Sequence, residues 1–243
     1  MAIGNTSIPY LEKTFHPVTG CIGDGCKCKA DCWAADLIRN RLAGTMKGLP
    51  EGDPFAPTFH EDRLGDAAAL KRPTVLGLGF FGDLLDKAHA DAVVRRVIGA
   101  MVLPHTYVLT TKQAYRLPDF QWPDNAVVGV SCCDQDDADA RLHYLRACSA
   151  SRLWVSLEPL IGLVTIYPAT AAEWGGRLKT VVVGGEHKAV GARPMLRSWL
   201  RSLRDQCQDD LGAHFVLKQG SGAYPKHFPE LDGVVYDHGC RRM

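Results

Sequence analysis

From Thr74 onward, short β-branched or aliphatic runs alternate with amphipathic stretches, the pattern written by successive βα units. The runs are Thr74–Leu78, Thr106–Thr110, Ala126–Ser131, Leu153–Leu157, Thr180–Val183 and His214–Leu217, most of them apolar nearly throughout. Parallel strands covered on both faces require such continuity. Helices are predicted between them at Ala88–Met101, Gln135–Ala147 and Pro194–Cys207, with a shorter one at Ala169–Trp174. A strand at Thr14–Thr19 and a helix at Ala34–Leu42 precede them. The expected fold is α/β: a partial (β/α) barrel, open or nearly closed, of about six or seven parallel strands. With 243 residues, 46% of them hydrophobic, the chain can bury one sizeable core. It reads as one domain over residues 1–243, with an irregular insertion near Lys47–Leu70 and a C-terminal extension from about Gly220.

In such folds the chemistry sits on the loops that leave the C-terminal ends of the strands. The polar residues fall there in order: Cys21 after the first strand, then Gly82-Asp83, Thr111-Lys112, Ser131-Cys132-Cys133-Asp134, Glu158, Gly184-Gly185-Glu186 and Lys218-Gln219. A formal net charge of +1 argues against a protein that coats nucleic acid non-specifically, which must neutralise many phosphates. The opening MAIGNTSIPYLEK lacks an apolar signal core, and no run of about 18 apolar residues is present to span a bilayer. A cytoplasmic protein with no membrane partner is expected.

Nine cysteines without an export signal point to metal rather than disulfides. Cys21, Cys26, Cys28 and Cys32 crowd one glycine-rich loop that opens into a helix, HPVTGCIGDGCKCKADCWAADL. Thiolates suit zinc or an iron–sulfur cluster. The spacing C-x4-C-x-C-x3-C holds no C-x2-C pair of the kind that usually grips a tetrahedral zinc. A cubane held by three thiolates leaves one iron open for chemistry, as a catalytic zinc site keeps an open position.

The run His16-Pro17-Val18-Thr19-Gly20-Cys21, closing with Cys32-Trp33-Ala34, resembles the cysteine loop of radical S-adenosylmethionine (SAM) enzymes of the spore-photoproduct-lyase-like kind. A closer resemblance is to a phage-associated family of that type. It extends through GFFGDLL at Gly79–Leu85, LTTK at Leu109–Lys112, VGVSCCDQDDADARL at Val128–Leu142, SLEPLIG at Ser156–Gly162, VVVGGEHKAVGARPM at Val181–Met195 and FVLKQG at Phe215–Gly220. The superfamily usually spaces its cysteines C-x3-C-x2-C, and this chain departs from that. The resemblance carries over Cys21 and Cys32 as ligands and leaves the middle one as Cys28 or Cys26, with the remaining thiol a bystander or a fourth ligand.

The resemblance implies a [4Fe-4S] cluster and SAM, cleaved to a 5′-deoxyadenosyl radical with an electron from a donor such as flavodoxin or ferredoxin. It implies a lyase or base-modifying reaction on a nucleobase or nucleotide in DNA or RNA, as repair or modification. Related enzymes bind the cofactor's ammonium group where Gly82 and Asp83 stand, although an Asp here also suits a helix cap. The letters GGE at Gly184–Glu186 match the ammonium motif but come several strands late, so the role stays with Asp83. Glu158 is read as a hydrogen-bond partner of the cofactor ribose or the substrate, or as one half of an internal ion pair, and Ser131 as a further cofactor contact. Lys112, Arg193 and Lys218 are cations for a methionine carboxylate or a substrate phosphate, or surface charge. Trp33 shields the cluster, stacks on adenine or fills the core. Cys132-Cys133 are a hydrogen-atom donor or redox pair, or simply buried thiols. The rival reading is a non-catalytic zinc- or cluster-stabilised protein whose stretch Arg193–Arg204 faces nucleic-acid phosphates. A metal-free thiol enzyme has no convincing base beside a cysteine. The tail Tyr224–Met243 caps the barrel or meets a partner.

Overall fold

The computed structural model describes residues 3–27, 32–188 and 190–237. In chain order its elements are β1 (Ile3–Asn5), β2 (Lys13–Phe15), β3 (Val18–Thr19), α1 (Trp33–Leu37), β4 (Thr58–Phe59), β5 (Val75–Leu78), α2 (Asp91–Gly99), β6 (Thr106–Thr111), β7 (Ala126–Ser131), α3 (Gln135–Ala147), β8 (Arg152–Leu157), β9 (Leu178–Gly184), α4 (Arg197–Asp205), β10 (His214–Gln219), β11 (Glu230–Leu231) and β12 (Val234–Val235). One eight-stranded sheet runs β1-β2-β5-β6-β7-β8-β9-β10. From β2 to β10 every neighbour is parallel, and β1 adds an antiparallel edge. The sheet is open: among the described residues no ladder joins β10 to β1 or β2.

Alternation along the central strands sorts their residues into two cores. Tyr107, Leu109, Val128, Val130, Leu153, Val155, Val181, Val183, Phe215 and Leu217 pack outward with the helices. Val108, Val127, Trp154, Val182 and Val216 face the other way, packed with Tyr10 and Leu11. Small residues make room on that inner face. A Cβ on Gly77 would stand 2.4 Å from Leu11 Cδ1, and one on Gly129 would stand 2.4 Å from Trp154 Nε1. Tyr10 meets the Trp154 ring edge-on at 5.7 Å, and the indole N–H donates to the Leu109 carbonyl at 2.8 Å. The base of the inner face is thereby closed with apolar side chains. The same register then turns polar toward the strand ends, because Thr110 follows Val108, Ser131 follows Gly129, Ser156 and Glu158 follow Trp154, and Lys218 follows Val216.

Several expectations need correction. The run Thr14–Thr19 is two strands, because Pro17 has no N–H to donate to a ladder. β2 joins the main sheet, while β3 pairs antiparallel with β4. Segment Lys47–Leu70 is therefore not wholly irregular. Ala88–Met101 becomes helical only at Asp91, since Asp86 claims the Ala88 N–H at 2.9 Å in a turn. Ala169–Trp174 forms turns rather than a helix, ahead of Gly175 and Gly176 at φ 60° and 64°. The helix expected at Pro194–Cys207 starts at Arg197 and winds on in wider turns through Leu211, ending at Gly212 with φ 60°. Edge strand β1 and the short pair β11–β12 lie outside the expected elements.

Candidate functional site

A cavity of about 660 Å³ opens at the C-terminal ends of the strands. Its volume lies within the range of small-molecule sites. Cys21, Cys26, Cys32, Trp33, Gly82, Asp83, Lys112, Ser131, Glu158 and Lys218 all line it. Cys28 lies outside the described residues. Arg193, Cys132 and Cys133 are not in the wall.

The cysteine loop reaches this mouth by close backbone packing. Gly20 pairs with Gly82 in an isolated parallel bridge, and the Gly20 N–H donates to the Phe81 carbonyl at 2.8 Å. A Cβ on Gly82 would lie 2.4 Å from the Gly20 oxygen, and one on Gly20 (φ 73°) would strike the Phe55 oxygen. Only glycine fits at either position. Beyond Cys21 the loop is stitched across three strand ends. Asp86, after β5, accepts from the Ile22 N–H at 2.8 Å. Gln113, after β6, donates to the Asp24 carbonyl at 3.1 Å. Arg141, on α3 after β7, donates to the Gly25 carbonyl at 2.8 Å and to the Ser131 carbonyl at 2.5 Å, and pairs with Asp137 at 3.0 Å. Lys27 pairs with Asp134 at 2.5 Å, and Lys87 pairs with Asp24.

Burial, then the charges of Asp83 and Cys32, push the Cys21 thiol up to about 12. A thiolate here needs a cation, and a bound metal deprotonates such a ligand outright. Cys21 and Cys32 share one apolar cluster with Ala34, Ala35, Ile38, Phe55 and Phe81. Among the described residues no three His, Cys, Asp or Glu side chains converge on a point where a metal ion would sit. Trp33 stands 53% exposed beside the cavity, edge-on to Phe81 at 6.1 Å. Trp33 is thus neither core nor covered, and Phe81 in turn stacks on His16 at 3.9 Å.

Asp83 lies in the wall with its oxygens engaged by the Thr111 hydroxyl (2.7 and 3.0 Å), the Lys112 N–H (2.9 Å) and the Leu85 N–H (3.0 Å). It fastens the β5 and β6 loops together and caps no helix, since α2 begins only at Asp91. Burial raises its pKa above the ordinary carboxylate value, against the pull of those hydrogen bonds. Glu158 and Lys218 form an ion pair at 2.7 Å across the ends of β8 and β10. Glu158 Oε1 has no hydrogen-bond partner, nor do the Thr14 and Thr110 hydroxyls, and all three residues line the cavity. These orphaned atoms are expensive to bury and mark a wall that awaits polar contacts.

Glu186 accepts from the Arg193 N–H at 2.8 Å and from its guanidinium. The pair closes a loop on the β9 rim, so GGE serves Arg193 rather than a ligand's ammonium. Arg201 and Arg204 bind Asp232 at 2.8 and 2.9 Å. The basic stretch Arg193–Arg204 is therefore largely matched by carboxylates of the same chain. Cys132 and Cys133 are fully buried, their thiols pushed up to about 12 by desolvation, which fits the packing reading.

Sequence reasoning overlooked Asp86, Gln113 and Arg141. Each falls in or beside a recognised motif, GFFGDLLD, TTKQ and DADAR, but only tertiary contact shows that all three hold one loop.

The chain is similar to two solved structures: a cysteine-to-alanine mutant of spore photoproduct lyase with dinucleoside spore photoproduct, at 11% identity and TM-score 0.48, and a tyrosine-to-phenylalanine mutant of the same enzyme, at 12% and 0.47. Each likeness covers 86% of this chain, which spans 64% of the length of those chains. No curated protein matches the sequence. The family model described as "Protein of unknown function (DUF5131)" matches residues 5–237, and the chain belongs to that family.

Proposed function

We propose that this chain is a radical SAM enzyme that holds a [4Fe-4S] cluster on the Cys21–Cys32 loop and acts on a nucleobase or nucleotide. The observation that carries this reading is the stitched cysteine loop, which brings Cys21, Cys26 and Cys32 to the wall of a roomy cavity at the strand ends. The donor chemistry suits the cluster: Cys21 and Cys32 both pack against one apolar cluster, and the loop contributes further thiols. When bound, the reduced cluster supplies the electron that cleaves SAM to a 5′-deoxyadenosyl radical.

The chain's own residues orient and shelter that chemistry. Desolvated Asp83 gains from a cation beside it, which suits the ammonium of a methionine moiety, with Gly82 keeping the backbone close. Lys112 offers a positive charge at the same rim for a carboxylate. Ser131, together with the orphaned Glu158 Oε1 and Thr110 hydroxyl, offers polar contacts for ribose or substrate hydroxyls and N–H groups. Trp33, exposed at the mouth, is placed to cover bound groups and exclude water from a radical. An electron donor such as flavodoxin or ferredoxin would dock from solvent. Among the described residues no helix is long and apolar enough to cross a membrane.

Anaerobic reconstitution with iron and sulfide tests the reading. We expect a brown protein with about four irons per chain and thiolate-to-iron charge-transfer absorption. A colourless chain holding one stoichiometric zinc would contradict it and favour a structural site.

A further inference from the structure

The loop carries more thiols than a three-thiolate cluster uses, and its path separates them. Ile22, next to Cys21, is fixed to Asp86 on the β5 side. Asp24 is fixed to Gln113 after β6. Gly25 and Lys27, the two neighbours of Cys26, are fixed to Arg141 and Asp134 at the β7 end. The strands β5, β6 and β7 are adjacent, so between Cys21 and Cys26 the loop is anchored in turn at three neighbouring strand ends. The chain then returns. Cys32 packs, as Cys21 does, against the apolar cluster of Ala34, Ala35, Ile38 and Phe55, close enough for the two thiols to feel each other's charge.

The electrostatic neighbours agree with this path. Cys21 feels Cys32, whereas Cys26 is felt by Cys133, at the end of β7. Cys21, Cys26 and Cys32 do not converge on one metal position. The Arg141 side chain that anchors the far bend is itself buried and bound to two carbonyls and Asp137, so the bend is rigidly placed.

We infer that Cys26 stands outside the ligand set of the cluster: the loop presents Cys21 and Cys32 together and holds Cys26 apart at the β7 rim, as a separate thiol in the cavity wall. Arg141 is the positioning residue that keeps it there. The inference rests on the cluster reading above and adds to it which thiol the metal leaves alone. Cys26 then remains open to alkylation when the cluster is present, because a metal-bound thiolate is shielded and a thiol off the metal is not.

Two experiments separate this inference from the reading beneath it. In the apoprotein, a short bis-alkylating reagent followed by peptide mass mapping should bridge Cys21 to Cys32. A bridge from Cys26 to either of them overturns the inference, whether or not iron binds. In the anaerobically loaded wild type, iodoacetamide labelling of Cys21 and Cys32 should fall by about tenfold relative to the apoprotein while Cys26 labels as before. Protection of Cys26 alongside them overturns it. As a check by variant, Cys26→Ala should keep the iron content and the reduced-cluster electron paramagnetic resonance spectrum of the wild type, whereas Cys21→Ala should lose both. A wild type that takes up no iron yet gives the Cys21–Cys32 bridge would sink the proposed function and still support the division of the loop.

Discussion

Asp86 is a small residue with a large structural duty. Its two oxygens accept the Ile22 and Ala88 N–H groups in a site that is 1% exposed. Replacing it with alanine removes two part-buried, charge-assisted hydrogen bonds, which costs about 1–3 kcal/mol. A fall in melting temperature of about 2–4 °C per kcal/mol follows for a chain of this size. Because one of those donors belongs to the cysteine loop, Asp86→Ala should also lower iron retention, measured after desalting. Unchanged iron retention would show that the loop does not depend on this anchor. Gly82→Ala tests the same junction from the other side, since its Cβ would meet the Gly20 oxygen at 2.4 Å. Crowding of that kind costs about 1–3 kcal/mol, and thermal melting together with iron content measures it. At this scale the sequence was legible where chemistry is intrinsic to the residue. The cysteines and the rim residues Asp83, Lys112, Ser131 and Glu158 could be picked out because each is polar at the end of an apolar run. Asp86, Gln113 and Arg141 could not, because an ordinary Asp, Gln or Arg takes its meaning from a carbonyl or N–H some 60 to 120 positions away (|i−j| 64, 89 and 116).

Among the elements, the segment that leads into the cysteine loop carries a built-in pH dependence. His16, stacked on Phe81 with neither ring nitrogen hydrogen-bonded, is held down to about 3 by burial and by nearby Arg63. His60, bonded to the Thr19 hydroxyl at 2.8 Å, is held down to about 4 by the same causes. Both titrate near 6.5 when unfolded. Between those values the unfolded chain binds more protons than the folded one, so stability is full above about pH 6.5 and is lost as pH falls toward 4. Melting curves between pH 7 and pH 5 should show a falling midpoint, and His16→Phe should shrink that fall. An equal fall in the variant would remove His16 from the explanation. Strands β8 and β10 carry a second test in the Glu158–Lys218 pair, whose side chains are 16% and 15% exposed. Lys218→Met alone strands a carboxylate and should cost about 1–3 kcal/mol, more than the double change Lys218→Met with Glu158→Gln; a denaturant cycle reads the difference. The central strands were visible in the sequence as long apolar runs, and β7 appears at the expected residues. Edge strand β1, the β3–β4 pair and β11–β12 are two or three residues long. Elements of that length have no periodicity to read and exist only because a partner strand completes them. The turns at Ala169–Trp174 carry helix-forming alanines, but the two glycines that follow favour a reversal.

Across the whole molecule, the open parallel sheet separates stability from chemistry along one face. Trp154, Val108, Val127, Val182 and Val216, sealed by Tyr10 and Leu11, form the dry base. Two residues further along the same strands the register delivers Thr110, Ser156 and Lys218 to the cavity, and four residues beyond Val127 it delivers Ser131. Trp154→Ala should therefore damage the fold itself, by about 3–5 kcal/mol, whereas changes one register step higher should act on binding. The class of fold and the rim that bears the site were legible because βα alternation and strand-end polarity are local patterns. The curvature that gathers distant strand ends around one cavity is set by contacts such as Tyr10 on Trp154, which no local pattern records. The most direct measurement is the formation of 5′-deoxyadenosine by the anaerobically reconstituted protein given SAM and a strong one-electron reductant. We expect the nucleoside from the wild type and none from Cys21→Ala; an iron-loaded wild type that leaves SAM intact under those conditions would contradict the account.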